Sequence, residues 1–356
     1  MGLPEILIEF KQRAQTAVRR SENGIVAVIL ADDTKTGAGY ESYVYTSAAD
    51  VDTSQWSTVS RRYFNMLFQG SPNKVLVERI APDEGYDNAL MRLKNKSWNW
   101  LAIPGLANDD VETIGSWIIT QRSAKKTFKA VLPCTAAGYN PNDEGIVDFA
   151  TEGIKVGAYS FTSNEYCLRI AGLLASLPMT ESATYQVLAE VDSITESLTP
   201  DEDIDGGKLI LINDGEKIKV ARGVNSLHIL SGDKTEDMKK IKIIDGMDLI
   251  RDDIRTTFEE NYVGINNSYQ NKLVFIAAVN QYFDQLARQG VLYDEYDNLA
   301  EIDADAQRAW LAERYDVSGY SDDEILKART GSYVFAKASI QFNDAIEDLR
   351  FSISME

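Results

Sequence analysis

Residues able to perform nucleophilic or acid–base chemistry are sparse in this sequence. The 356 residues include one histidine, His228, and two cysteines, Cys134 and Cys167. Serine or cysteine nucleophiles need an adjacent base, and no G-x-S-x-G motif surrounds any serine. We therefore expect His228 to be structural or exposed, and both cysteines to be buried thiols outside any disulfide framework, as suits a reducing cytoplasm.

Two short stretches invite comparison with ligand-binding loops. TGAGYES at 36–42 lacks the third glycine and the following helix of a phosphate-binding loop, so it predicts a hairpin loop. In DEDIDGG at 201–207, four residues match positions 1, 3, 5 and 6 of a calcium loop, but Ile212 stands where a glutamate is needed. An acidic linker is the preferred interpretation and a divalent-ion site the alternative, so we expect no cofactor.

Charge restricts the choice of partners. With 36 basic and 55 acidic residues, the net charge of −19 argues against nucleic acid or an anionic membrane as the main partner. Apolar runs such as 24–31 are too short to span a bilayer, and no signal peptide opens the chain. The densest basic cluster, Lys239, Lys240 and Lys242, fits either an acidic partner surface or a solvated strand edge.

The elements that must position these residues alternate between strand and helix up to residue 178. Strand patterns occur at 24–31, 41–46, 74–80, 98–105 and 128–133, and helical patterns at 53–70, 86–96, 110–124 and 163–178. Such alternation predicts βαβ units and a largely parallel sheet. Gly70 suits a helix stop, and Thr162 or Ser163 suits the N-cap of the last helix.

The rest of the chain predicts an α+β domain. KLILI and EKIKV flank a turn at Asn213, Asp214 and Gly215, which indicates a hairpin. Helices are expected at 246–262, 272–290 and 303–315, the last capped by Asp303. The interleaved acids and arginines of IRDDIR, at 250–255, suit salt bridges on a helix surface.

Both ends of the chain have the period of two that is typical of half-buried strands. At the N-terminus the apolar residues are Ile6, Ile8 and Phe10, and in LRFSISME they are Leu349, Phe351, Ile353 and Met355. Before the second set, Val334, Ala336, Ala338 and Ile340 share one face of a further strand. These terminal strands need partners that the chain interior does not obviously supply.

Composition and pattern divide the chain into five parts. We expect an N-terminal β-arm and linker at 1–23, a β-rich segment at 24–90, a middle α/β domain at 91–200, an α+β domain at 201–343 and a C-terminal β-arm at 344–356. The boundary near residue 200 follows from the acidic stretch with Pro and Gly at 197–207.

Long stretches of the sequence resemble the contractile tail sheath proteins of myophages and R-type phage-tail-like bacteriocins, particularly those of Gram-positive bacteria. The resemblance is carried by KLILINDGEKIKVARGVNSL, KKIKIIDGMDLIRDDIRTTFEENYVGINNSYQNKLVFIAAVNQYF and AEIDADAQRAWL, and by the two ends of the chain. It covers nearly the whole sequence and rests on no catalytic signature.

The resemblance implies a middle domain of subtilisin-like topology without a catalytic triad and an inner C-terminal domain that faces a tail tube. It also implies that the terminal arms add strands to neighbouring subunits, with the strand at 334–340 as a candidate acceptor edge. The expected partners are further copies in helically stacked hexameric rings, the tube protein, and baseplate and tail terminator proteins. Lys239, Lys240 and Lys242 are the candidates for facing the tube.

The function that follows is structural: a sheath subunit of a virion or phage-tail-like particle, assembled in the bacterial cytoplasm, that contracts to drive the tube through a cell envelope. Contraction needs no nucleotide if the extended assembly is metastable. Two alternatives stay open. One is a hydrolase that uses the middle domain and clustered carboxylates, and the other is a scaffold that caps a tail or baseplate without polymerising.

Overall fold

The computed structural model describes residues 23–34, 41–134 and 139–355, and its chain divides into two compact units. The larger unit takes residues 23–252 and 344–355, and the smaller takes residues 253–343. Within the described ranges, no helix is both long and apolar enough to cross a membrane.

The described residues of the larger unit form twelve strands and six α-helices, the last of which continues into the smaller unit. The strands are β1 (Ile25–Ala31), β2 (Glu41–Tyr45), β3 (Lys74–Ile80), β4 (Trp100–Ala102), β5 (Lys129–Pro133), β6 (Ile146–Phe149), β7 (Glu152–Val156), β8 (Tyr159–Phe161), β9 (Ser193–Thr195), β10 (Lys208–Leu209), β11 (Leu211–Asn213) and β12 (Ile218–Val220). The helices are α1 (Thr58–Phe68), α2 (Asp87–Leu93), α3 (Val111–Ser123), α4 (Ser163–Ser176), α5 (Pro200–Asp205) and α6 (Ile241–Asn261).

A seven-stranded sheet in the order β10-β6-β5-β4-β1-β3-β2 organises this unit. Every neighbouring pair is parallel except β2 with β3, so the predicted mixed α/β fold with a largely parallel sheet is confirmed. Central β1 is buried on both faces, with Val26, Val28 and Leu30 in one core and Ile25, Ala27 and Ile29 in the other. This burial explains its continuous apolar run.

Helices cover both faces of the sheet. The core that holds Val26 includes side chains of α1 and α4, and the core that holds Ile25 includes side chains of α2 and α3. Helices α1 and α4 pack unusually closely, because a Cβ added at Gly172 would lie 2.4 Å from the carbonyl oxygen of Leu67. Thr162 caps α4 in a capping box with Glu165, as predicted.

Two small antiparallel sheets complete the larger unit. One has the order β8-β7-β9, and the other is the hairpin of β11 and β12, which pairs Leu211 with Val220. Gly215 in its turn has a φ of +97°, a conformation that glycine adopts without strain. The predicted hairpin is confirmed.

The smaller unit combines helices with a two-stranded sheet. Its elements after α6 are α7 (Tyr269–Arg288), β13 (Leu299–Ile302), α8 (Ala304–Ala312), α9 (Asp322–Lys327) and β14 (Ala336–Ser339). The predicted cap of α8 is confirmed, because Asp303 accepts a 3.0 Å hydrogen bond from the backbone N–H of Ala306. Buried Lys272 donates to Gln307 at 3.1 Å and to Thr330 at 2.8 Å, which ties α7 to α8 and to the loop after α9.

The expected domain boundaries differ from the division of the structure. The boundaries at residues 90 and 200 would each divide the seven-stranded sheet, whose hydrogen bonds join β1 to β4 and β6 to β10. The expected boundary at residue 343 coincides with the end of the smaller unit.

Two local predictions are wrong. Residues 200–205, expected as a linker, form α5, because Pro200 occupies the first turn and Asp201, Glu202 and Asp203 suit a helix N-terminus. Helix α6 begins at Ile241, five residues before the expected start at 246, so Lys242 lies on a helix and not on a strand edge. Ile241, Ile244 and Asp248 form its buried stripe.

Candidate functional site

The C-terminal segment leaves its apolar side chains uncovered. The apolar side chains of Leu349, Phe351, Ile353 and Met355 are exposed, and residues 344–355 contain no strand. The predicted strand therefore has no partner within the described part of the chain. Apolar side chains at every second position form one continuous apolar face when the chain is extended. Such an exposed face is suited to packing against another protein surface.

Acidic residues just before these apolar side chains contact the larger unit. Glu347, with a side chain only 8% exposed, accepts hydrogen bonds from the hydroxyls of Ser182 at 2.8 Å and Thr184 at 2.5 Å. The Arg222 guanidinium lies 2.7 Å from an oxygen of Asp348 and 3.8 Å from one of Glu347. These contacts fix the segment immediately before Leu349.

The predicted acceptor strand is β14, which pairs only with β13 among the described strands. Ala338 lies opposite Ala300, and the backbone N–H of Asp303 donates to the carbonyl of Phe335 at 3.0 Å. Because the backbone groups of an antiparallel strand alternate in direction, those of Ala336 and Ala338 face away from β13. Ala336 and Ala338 are exposed, whereas Val334 and Ile340 are half-buried outside the strand.

The other edge of this small sheet is blocked by a side chain. The Asn280 amide accepts from the backbone N–H of Ala300 at 2.7 Å and donates to its carbonyl at 3.0 Å. Asn280 thus satisfies the groups through which β13 would pair with a further strand. Among the residues that the structure describes, no side chain forms such hydrogen bonds with Ala336 or Ala338, so the outer edge of β14 is the edge suited to strand addition.

The lysines expected to face a partner have acidic neighbours within the larger unit. Lys239 pairs with Glu236 at 2.8 Å, three residues earlier, and Lys240 forms an ion pair with Asp344. Lys242 is half-buried, and burial lowers its pKa. Lys240 therefore contacts the chain's own acidic segment, whereas Lys239 pairs locally.

The residues considered for catalysis are held in unreactive states. Burial raises the pKa of the half-buried Cys134 thiol to about 12, and it raises the pKa of buried Cys167 well above the ordinary value. A thiol that stays protonated is a poor nucleophile. The ring nitrogens of His228 lie 3.0 Å from the carbonyl oxygen of Ser226 and 3.2 Å from the side-chain amide of Asn140, which fits the predicted structural role.

The acidic stretch at 201–207 does not form an ion-binding loop. Asp203 accepts hydrogen bonds from Lys208 at 2.8 Å and from Ser197 at 2.5 Å, and the neighbouring acids lie along α5. No cluster of three histidine, cysteine or acidic side chains suited to a metal occurs in the ranges that the structure describes.

Sequence reasoning missed a buried ionic cluster on the first half of α6. Asp248 accepts from Arg122 at 2.8 Å and from Lys129 at 3.2 Å, and Lys129 also lies 3.0 Å from Asp245. The acids recur at helical spacing, which is the only sequence signal, and their partners lie more than 110 positions away. The charges satisfy one another and attach α6 to α3 and β5.

The expectation of surface salt bridges in 250–255 is wrong for Asp253. This residue is fully buried and accepts a 2.6 Å hydrogen bond from the Tyr282 hydroxyl of α7. The N-terminal candidates Ile6, Ile8 and Phe10, and most of the glycine-containing loop at 36–42, lie outside the described residues.

Comparison with known proteins places this geometry in a family. Residues 233–356 match the family model described as phage tail sheath C-terminal domain. The tail sheath protein of Clostridium phage phiCD119 is 35% identical over 367 aligned positions, which cover 99% of both chains.

Solved structures agree at the level of the fold. The helical sheath of the anti-feeding prophage in its contracted state matches with a TM-score of 0.73 at 12% identity, covering all of both chains. A sheath tail protein from Desulfitobacterium hafniense matches with a TM-score of 0.66 at 14% identity, covering 84% of this chain and 94% of that one. With the full-length relative at 35% identity, these findings show that the chain belongs to the phage tail sheath family.

Proposed function

We propose that this chain assembles into helically stacked hexameric rings around a tail tube and contracts to drive that tube through a target cell envelope. The observation that carries the proposal is the exposure of the aligned apolar residues after Asp348, where Phe351 is 76% exposed, beside Glu347, whose side chain is 8% exposed. A free monomer gains nothing from exposing four aligned apolar side chains, whereas a subunit that donates a strand needs them.

The acceptor in this proposal is the outer edge of β14 in a neighbouring subunit. Strand addition would join the outward backbone groups of Ala336 and Ala338 to residues 349–355, and the alternating side chains would set the register. The N-terminal strand with Ile6, Ile8 and Phe10 would contribute a further strand in the same manner. Main-chain hydrogen bonds across added strands are local, so subunits can rotate as bodies and stay joined.

In this proposal the free energy for contraction comes from the contacts between subunits. If the contracted arrangement buries more or better-matched surface, a gain of a few kcal/mol per subunit, on the scale typical of conformational equilibria, drives a polymer of many copies in one direction. The tail tube, baseplate and terminator proteins are the proposed partners. The alternation of β4 to β6 with α3 and α4 supports the proposed subtilisin-like topology of the middle region, and the protonated thiols support a non-enzymatic role.

Replacement of Ala338 by proline tests the acceptor edge. Proline removes an N–H that faces away from β13, and edge strands tolerate proline, so the fold should persist while strand addition is weakened. We expect the A338P chain to remain folded by circular dichroism and to form few tubes in negative-stain electron microscopy. Ala338→Ser keeps the N–H and is the matched control.

Three outcomes distinguish strand addition at β14 from the other assembly models. Tubes from A338S and not from A338P support strand addition at β14. Equal tube formation by both variants excludes this edge as the acceptor. Isolated rings from the unmodified chain under all conditions, without stacking, would favour the non-polymerising scaffold.

A further inference from the structure

We propose that Ser182, Thr184, Arg222 and Lys240 form a docking site for the chain's own acidic segment Asp344–Asp348, and that this contact fixes where the exchanged strand leaves its subunit. We name the four residues the acid-binding site, and residues 344–348 the root segment. The site lies wholly within the larger unit.

The burial of Glu347 is the first support. Carboxylates are rarely buried unless they are paired, and this side chain is 8% exposed although its neighbour Ile346 is 99% exposed. The two hydroxyl donors, Ser182 and Thr184, meet the same oxygen of Glu347. The Thr184 hydroxyl also accepts a hydrogen bond from the backbone N–H of Gly223 at 2.9 Å. This bond orients the hydroxyl toward the Glu347 carboxylate.

The local charge is the second support. The whole chain has a net charge of −19, but two basic side chains contact the root segment. Lys240 forms an ion pair with Asp344, and Arg222 forms one with Asp348. Burial opposes ionisation of Asp344, but the hydrogen bond from Lys240 lowers its pKa below the ordinary value. The hydrogen bond to Asp348 raises the pKa of Arg222. The site therefore recognises a short acidic peptide by two ion pairs around one buried carboxylate.

The consequence concerns the length of the exchanged strand. With the root segment attached to its own subunit, only the residues from Leu349 onward are available for exchange. Eight extended residues, 349–356, reach about 26 Å at about 3.3 Å per residue. The reach of a subunit toward its neighbour is then set by the acid-binding site. This consequence rests on the proposed function, whereas the docking contact itself does not.

Cleavage at Glu347 measures the docking contact directly. A protease specific for glutamyl bonds acts after Glu347 only when the root segment leaves the site, and mass spectrometry detects the loss of residues 348–356. We would use the full chain in its unassembled form, isolated by size exclusion, and the R222Q/K240Q double variant. The variant keeps the cleavage sequence, and we expect its cleavage at Glu347 to be about fivefold faster, because two partly exposed ion pairs are lost.

The matched control is Lys239→Gln, which removes a neighbouring lysine that pairs with Glu236 instead. Its cleavage rate should equal that of the unmodified chain. Raising NaCl from about 0.05 M to about 1 M should also accelerate cleavage of the unmodified chain, because salt screens the two outer ion pairs. This salt series decides the question if the double variant fails to fold.

Equal cleavage rates in the unmodified chain and the double variant, or no salt effect, would overturn the proposal. An equal acceleration in Lys239→Gln would overturn it as well, since any lost positive charge would then suffice. Tube formation is scored separately by electron microscopy. A chain that forms tubes without protected Glu347 refutes the docking site alone, and a chain with protected Glu347 that forms no tubes refutes the assembly alone.

Discussion

Ile346 and Glu347 are adjacent in the chain and have opposite environments. Ile346 is 99% exposed, whereas the Glu347 carboxylate accepts hydrogen bonds from Ser182 and Thr184 and its side chain is 8% exposed. A charged side chain is thus covered beside an uncovered apolar one, the reverse of the usual order. From Leu349 to Met355 every second residue is apolar and exposed, and the polar residues between them are exposed as well.

The alternation along the C-terminal strand leads to a prediction about its two faces. Phe351→Asp should raise the protein concentration needed for tube formation by tenfold or more, because burial of a phenylalanine contributes about 1.5–3 kcal/mol and each 1.4 kcal/mol is about a factor of ten. Ser352→Asp adds the same charge on the opposite face and should change that concentration much less. Sedimentation of assembled material over a concentration series measures both, and equal effects would contradict a one-sided strand.

The buried cluster on α6 should contribute strongly to stability. Asp248→Asn leaves Arg122 and Lys129 with less compensating charge in a site where all three side chains are below 10% exposed. Removal of one partner from a buried ion pair typically costs about 3–5 kcal/mol. Urea unfolding of the variant at neutral pH should show that its free energy of unfolding is lower by this amount. Asp214→Asn, which removes a partly exposed partner of Lys219, should lower the unfolding free energy much less.

A loss of less than about 1 kcal/mol in Asp248→Asn would show that the neighbouring Asp245 compensates for both cations. The comparison with Asp214→Asn then separates the effect of burial from that of charge alone, since both changes neutralise one aspartate in the same unit.

Asp148 on β6 should make stability depend on pH in a defined direction. Burial raises its pKa from about 4 in the unfolded chain to about 6 in the fold. Between these values the folded chain holds a proton that the unfolded chain has lost, so stability falls as pH rises from about 4 to about 6. Asp148→Asn should remove this decline, which amounts to about 3 kcal/mol for two pKa units. Unfolding free energies of both chains across this interval measure the difference, and parallel curves would contradict the shifted pKa.

The contrast between β1 and α6 shows what could be predicted from the sequence. Residues 24–31 are apolar without interruption because β1 is buried on both faces, so its pattern has one interpretation. The start of α6 was hidden because KKIKII mixes lysines with β-branched residues, which also suits an exposed strand. Helix α5 was missed because its acids serve a helix N-terminus, whereas the same composition is typical of linkers.

The candidate site was predictable only in part, for a related reason. The period of two predicts which face of residues 349–355 is apolar, but it does not predict which surface covers that face. The contacts of Glu347 could not be read from the sequence either, since Ser182 lies 165 positions away and neither residue belongs to a motif. The Asn280 side chain that blocks β13 is likewise visible only once α7 and β13 are brought together.

The most direct test of the account is a chain that ends at Asp348, compared with the full-length chain by circular dichroism and negative-stain electron microscopy. This truncation keeps the root segment and removes only the exposed residues from Leu349 onward. We predict that both chains are folded and that only the full-length chain forms tubes or stacked rings. Tube formation by the folded truncation at the same concentration would contradict the claim that residues 349–355 join one subunit to the next.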